Sequence, residues 1–197
     1  GIRDVAVTGV QTCALPISWP SARVAKCLVH YHPDDPPALR EAQETQLQRL
    51  ARACIATGHE WLLEVIPPQQ PMQSAEAVVR AVARFYALGI CPDWWKLPPY
   101  GDAAVWRAIG DEVRAHDPHC RGVVILGLER PEPELAASFA AAAGEPTVRG
   151  FAVGRSIFWA AAEDWFAGRI DDAKAAAIVA ANYRRIVDLW HERGKAR

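Results

Sequence analysis

Five short apolar runs, each followed by a stretch of helical periodicity, predict an α/β protein built on a parallel sheet. Two further observations agree. The runs are apolar at nearly every position, as strands covered on both faces must be. Proline or glycine punctuates the chain between them, marking turns and helix ends. Ligands of such a sheet belong at the carboxyl ends of its strands, whether the sheet is open or closed into a barrel.

Val24–Tyr31 (VAKCLVHY) reads as the first strand, ended by His32-Pro33-Asp34-Asp35-Pro36-Pro37. Proline suits the first turn of a helix, and Ala38–Thr57 carries Leu39, Leu47, Leu50, Cys54 and Ile55 at helical spacing. Gly58 supplies its stop. Trp61–Ile66 (WLLEVI) is the second strand, closed by Pro67-Pro68, and Ser74 is placed to cap a helix running to Leu88. Asp93–Leu97 (DWWKL) is a short third strand, and Asp102–His116 a helix with Val105, Trp106, Ile109 and Val113 on one face. Gly122–Leu126 (GVVIL) is the fourth strand, followed by a helix over Pro133–Ala143. Arg149–Val153 (RGFAV) is the fifth, leading through Gly154-Arg155-Ser156 to helices over Ala160–Ala167 and Asp171–Glu192.

Residues 1–18 do not belong to this pattern. GIRDVAVTGVQTCALPIS lacks a basic start followed by a continuous apolar core, so it does not read as a secretory signal. It resembles a translated short-read sequencing adapter, with Val5-Ala6 at the variable index position. Native sequence is then expected to begin near Trp19. Setting aside 18 of the 197 residues leaves 179 for the five strand–helix units. At about 36 residues per unit, an eight-unit barrel would take about 290. A barrel therefore expects three units upstream, whereas an open sheet expects none.

Composition narrows the function classes. With 22 basic against 23 acidic residues, the net charge of −1 gives no broad attraction for nucleic acid or an anionic membrane. No apolar run approaches the roughly 20 residues of a membrane helix. The chain is 51% hydrophobic and can bury a core. Its five cysteines, Cys13, Cys27, Cys54, Cys91 and Cys120, form no C-x-x-C pair. That pattern argues against a disulfide framework or zinc knuckle and favours a reduced, cytoplasmic chain.

Polar residues inside strands carry the chemical signal. Lys26, Glu64 and Lys96 each interrupt an apolar strand, where an unpaired charge costs several kcal/mol. Two lysines and a glutamate on successive strands could meet at a barrel mouth. A partly desolvated lysine beside another cation more readily offers a neutral amine to a ketone, forming a Schiff base. A neighbouring carboxylate can then move protons during carbon–carbon cleavage. A buried ion pair, or lysines snorkelling at strand ends, would explain the same residues. His30-x-His32 points two imidazoles to one side of a strand end, a spacing that binds zinc and supports a metal-dependent lyase or hydrolase. Trp61, Trp94 and Trp95 fit core packing better than a sugar-stacking platform.

The runs KCLVHYHPDD, LLEVIPP, PDWWKLPP, GVVILGLE and GFAVGRSIFW resemble the aldolase domain fused to 5-dehydro-2-deoxygluconokinases of myo-inositol catabolism. They are similar, more distantly, to class I tagatose-bisphosphate aldolases, which are (β/α)8 barrels. The resemblance spans about Ala25 to Trp190. It implies a partial TIM barrel: residues 19–197 would hold strands four to eight with their helices.

The resemblance also assigns roles. Lys96 becomes the Schiff-base lysine, Glu64 the acid/base carboxylate and Lys26 a second active-site lysine. The phosphate pocket falls on Gly127-Leu128 and Gly154-Arg155, where backbone N–H groups and a helix start receive an anion and Arg155 adds charge. The tagatose enzymes carry Ser-Gly-Gly where this chain has Leu126-Gly127-Leu128. His30 and His32 would help to hold the substrate. The implied reaction is retro-aldol cleavage of 5-dehydro-2-deoxy-D-gluconate 6-phosphate to dihydroxyacetone phosphate and malonate semialdehyde, with no metal or other cofactor. Implied partners are the sugar phosphate, an upstream sugar-kinase domain and further copies of the chain. A sugar-phosphate-binding barrel without catalysis would share these features, and a barrel lacking three of its eight units is expected to be inactive.

Overall fold

The computed structural model describes residues 10–12 (backbone only), 20, 22–67, 75–128 and 130–195. Strands and helices alternate as β2 (Ala25–His30), α1 (Pro37–Thr57), β3 (Trp61–Ile66), α2 (Ala75–Ala87), β4 (Trp94–Leu97), α3 (Ala103–His116), β5 (Gly122–Leu126), α4 (Glu132–Ala142) and β6 (Val148–Ala152). Two helices follow, α5 (Arg155–Phe166) and α6 (Asp172–Glu192). The sheet order equals the chain order, and β2 through β6 pair in parallel. Each crossover is a helix, as parallel neighbours require.

A short strand, β1 (Val10–Thr12), lies antiparallel on β2. It falls inside the segment set apart by its adapter-like sequence, whose other residues, 1–9 and 13–18, lie outside the described part. An unpaired strand edge is a template for any extended segment, so β2 gains a partner without help from a hydrophobic pattern.

Local chemistry explains the element ends. Pro36 and Pro37 open α1, where a missing N–H costs nothing. Gly58, at φ 67°, closes it in the left-handed region that a residue with Cβ avoids. Asp102 caps α3 by accepting from Ala104 N at 2.8 Å, and Asp171 caps α6 by accepting from Lys174 N at 2.8 Å. The cap expected at Ser74 lies outside the described residues.

Most boundaries shift by a residue or so, and two of the differences bear on the site. The fifth parallel strand begins at Val148, because Val148 pairs with Val123 before a register shift brings Gly150 opposite Val124. The helix expected from Ala160 begins at Arg155, directly after Gly154. That early start sets a helix N-terminus against the end of β6.

Strand alternation divides the sheet into two faces. Cys27, Val29, Leu63, Val65, Trp95, Leu97, Val123 and Ile125 are fully buried on the helix-covered side. The tryptophans complete that layer: Trp95 Nε1 donates to Tyr86 Oη at 2.8 Å, and Trp61 Nε1 donates to Cys91 O at 3.2 Å. Trp61 and Trp95 are therefore core residues rather than a ligand platform. Lys26, Leu28, His30, Glu64, Ile66 and Lys96 occupy the alternate positions on the inner face. Among the described residues no helix is long and apolar enough to cross a membrane.

Candidate active site

Register brings the charged strand residues together. Leu28, Glu64, Lys96 and Val124 stand level across β2 to β5, so Glu64 and Lys96 are direct neighbours on the inner face. Lys26 stands level with Leu62, one inner-face position lower, about 7 Å along the strand. Its long side chain spans that step. Lys26 Nζ lies 2.5 Å from Glu64 Oε2, and Lys96 Nζ lies 3.3 Å from the same oxygen.

The three differ in exposure. The Glu64 side chain is 4% exposed, Lys96 17% and Lys26 46%. Both contacts are ion pairs, and neither ammonium is aligned as a hydrogen-bond donor to Oε2. A carboxylate this buried depends on its cations to remain charged.

These residues line one side of a cavity of about 330 Å3 at the carboxyl ends of the strands. The opposite side is formed by Gly127, Leu128, Gly154 and Arg155. Seven of the nine residues expected at the site thus share one cavity. The α5 N-terminus opens onto it without a side-chain cap, the positive end of the helix dipole at the cavity. Gly127 sits close against Val153, where a Cβ would lie 3.0 Å from Cγ1. Leu128 takes φ 49°, an uncommon conformation for a leucine and a sign of strain at the cavity rim.

His30 and His32 are not among the cavity's lining residues. The His30 side chain is exposed, while its carbonyl accepts from Gln43 Nε2 at 2.8 Å. His32 is spent on its own turn: its N–H donates to Asp35 Oδ2 at 3.0 Å, and its Nδ1 accepts from Asp34 N at 3.2 Å. Among the described residues no three His, Cys, Asp or Glu side chains converge as a metal site. Two imidazoles therefore stand without a third ligand.

Several lining residues carried no charge signal in the sequence: Leu28, Ile66, Leu126, Ala152, Ser156 and Phe158. Alternation would have found the first two, since each lies two residues beyond Lys26 or Glu64 on the same face. Cysteine chemistry is not prominent. Cys27, Cys54, Cys91 and Cys120 are free thiols, and burial pushes Cys54 and Cys120 up to about 11, keeping both protonated.

Parallel strands alternating with helices, with a cavity at the strand ends, make up an aldolase-like, TIM-barrel type of fold. The solved structures agree on the fold. Fructose-bisphosphate aldolase from Plasmodium falciparum matches with a TM-score of 0.58 and 14% identity, over 81% of this chain and 52% of that one. A Corynebacterium glutamicum protein matches with a TM-score of 0.54 and 24% identity, over 83% of this chain and 51% of that one. The chain thus spans about half the length of these solved relatives. It belongs to the family described as "Uncharacterized protein conserved in bacteria (DUF2090)", which matches residues 3–194. No curated protein matches it.

Proposed function

We propose that the protein is a class I, Schiff-base-forming aldolase, and that its substrate is 5-dehydro-2-deoxy-D-gluconate 6-phosphate. The observation that carries this reading is the convergence of Lys96 and Lys26 on buried Glu64 in a cavity whose far wall is a helix N-terminus. The substrate itself is supported by the resemblance of the five strand-centred runs to the inositol-catabolism aldolase domains.

The neutral amine of Lys96 attacks the C5 ketone, and loss of water leaves an iminium. Glu64 takes the proton from the C3 hydroxyl. The C3–C4 bond breaks, its electron pair passes into the enamine, and malonate semialdehyde leaves. Glu64 returns the proton to C4, and water hydrolyses the iminium, releasing dihydroxyacetone phosphate and Lys96. The iminium is the electron sink that makes the carbanion accessible. Lys26 stays paired with Glu64 and holds its charge in place. Gly154, Arg155 and the α5 N–H groups, with Gly127 and Leu128 across the cavity, receive the phosphate. In the intact protein an upstream sugar-kinase domain would supply this phosphorylated keto acid.

The test is cleavage of the phosphorylated keto acid by the full-length protein, with dihydroxyacetone phosphate detected enzymatically. Turnover that survives EDTA and is lost in Lys96→Ala is the expected result. No turnover, or turnover abolished by the chelator, would overturn the reading in favour of a binding barrel or a metal enzyme.

A further inference from the structure

The cavity wall on β2 and β3 differs in chemistry from the wall beyond β5 and β6. Among the described residues, β2 and β3 contribute Lys26, Leu28, Glu64 and Ile66 to it. The two charged side chains are ion-paired with each other, Lys26 Nζ lying 2.5 Å from Glu64 Oε2. The rest of this wall is hydrocarbon. Leu28 stands level with Glu64 on the neighbouring strand, and Ile66 lies two residues beyond Glu64 on the same face. Both are partly exposed where they line the cavity.

In the proposed aldolase reaction a linear substrate crosses the sheet in a fixed direction. Its phosphate lies beyond β5 and β6, at Gly127 and Gly154, and its ketone carbon is joined to Lys96 on β4. Glu64 on β3 meets the C3 hydroxyl. Lys96, Glu64 and Leu28 stand level on successive strands, about 4.8 Å apart. A chain running from β6 toward β2 therefore carries C2, the next carbon, from Glu64 toward Leu28, with Ile66 on the side of the strand ends. A methylene at C2 is matched by that hydrocarbon. A hydroxyl at C2 gives up its water and gains no donor or acceptor from either side chain, so it is penalised as an unpaired polar group.

We infer that Leu28 and Ile66 determine specificity, selecting keto-acid phosphates with a methylene at C2 over those with a hydroxyl there, an inference that rests on the proposed aldolase reaction. An apolar wall rejects an added hydroxyl only modestly, by about 10–100-fold. Lys96 and Glu64 perform the same bond cleavage on either substrate, so the selection belongs to Leu28 and Ile66 rather than to the lysine–carboxylate cluster.

The experiment is steady-state kinetics of the full-length protein on 5-dehydro-2-deoxy-D-gluconate 6-phosphate and on its C2-hydroxylated counterpart, 5-dehydro-D-gluconate 6-phosphate. Both release dihydroxyacetone phosphate, the second together with tartronate semialdehyde, so one coupled assay reads both. The expected ratio of kcat/KM is about 10–100 in favour of the deoxy substrate. Leu28→Asn places a donor and an acceptor beside C2 in nearly the same volume and should lower that ratio at least fivefold. Ile66→Thr should move it the same way by a smaller factor, and Leu28→Met should keep it. General damage to the fold lowers both rates together and leaves the ratio where it was. A ratio near one in the unaltered protein, or a ratio unmoved by both Leu28→Asn and Ile66→Thr, overturns the inference and leaves the aldolase reaction standing. No turnover of either substrate overturns the aldolase reaction and the inference with it.

Discussion

Glu64 and Glu145 are both buried carboxylates beside cations, yet their surroundings differ in kind. Glu145 is enclosed by aligned donors: Arg114 Nη1 at 2.5 Å, Thr147 N at 3.0 Å and Thr147 Oγ1 at 2.6 Å. It fastens the start of β6 to α3, and its carboxylate fills the space where a Cβ on Gly110 would stand. Glu44 is held similarly, by Tyr31 Oη at 2.7 Å and by Arg84 at 3.0 and 2.9 Å. Glu64 has two ammonium groups close by but no aligned donor on Oε2, and it faces a cavity. Glu44 and Glu145 are saturated and structural. Glu64 instead lies beside two lysines at a cavity, the setting that the proposed proton transfer requires.

Substitution should separate the two kinds. Glu64→Gln is expected to lower aldol turnover by about 10²–10⁴ while costing less than about 1 kcal/mol of stability, since both lysines can turn toward water. Glu145→Ala should do the reverse. Loss of an acceptor serving three donors should cost about 2 kcal/mol, a fall of about 4–8 °C in Tm, with turnover per folded molecule unchanged. Calorimetry and steady-state kinetics on the same preparations would check both. A Glu64→Gln protein that melts as early as Glu145→Ala, or keeps its turnover, would break the distinction.

Acid titration sharpens the same contrast. Burial pushes the Glu145 carboxyl up, but hydrogen bonds from Arg114 and Thr147 outweigh it and hold the group below its ordinary 4.5. For Glu44, burial is likewise outweighed by hydrogen bonds from Arg84 and Tyr31. A carboxyl depressed on folding contributes stability that is present above its unfolded pKa and is lost as pH falls through the folded value. Stability should therefore decline as pH drops below about 4.5. Glu145→Gln should flatten that decline in urea melts across pH 3–6, and an unchanged slope would remove Glu145 from the account.

The smallest expected effect concerns the cavity rim. Leu128→Gly relieves a left-handed leucine, offset by the greater freedom of glycine in the unfolded chain, for a net gain of about 0.5 kcal/mol. A Tm rise of about 1–2 °C with weaker substrate binding is expected. A lower Tm would mean the conformation carries no strain.

Much of the architecture was legible because parallel strands announce themselves as apolar runs. Trp61–Ile66 and Gly122–Leu126 have the bounds their composition suggests. The Lys26–Glu64–Lys96 cluster was legible for the same reason, each charge standing out against its strand. The α5 start was not, because Gly154-Arg155-Ser156 reads as a turn until the end of β6 is in place. The carboxylate networks were hidden by distance, Glu44 meeting Arg84 40 residues away and Glu145 meeting Arg114 31 residues away. The surroundings of His32 were not legible either, because spacing alone does not show that Asp34 N will donate to its Nδ1 within the turn.

The central claim is that Lys96 forms the covalent intermediate. Borohydride reduction of the full-length protein in the presence of dihydroxyacetone phosphate, followed by peptide mass spectrometry, tests it directly. The account predicts an irreversible adduct on Lys96 that disappears in Lys96→Ala. No adduct, or one on another lysine that survives the substitution, would contradict it.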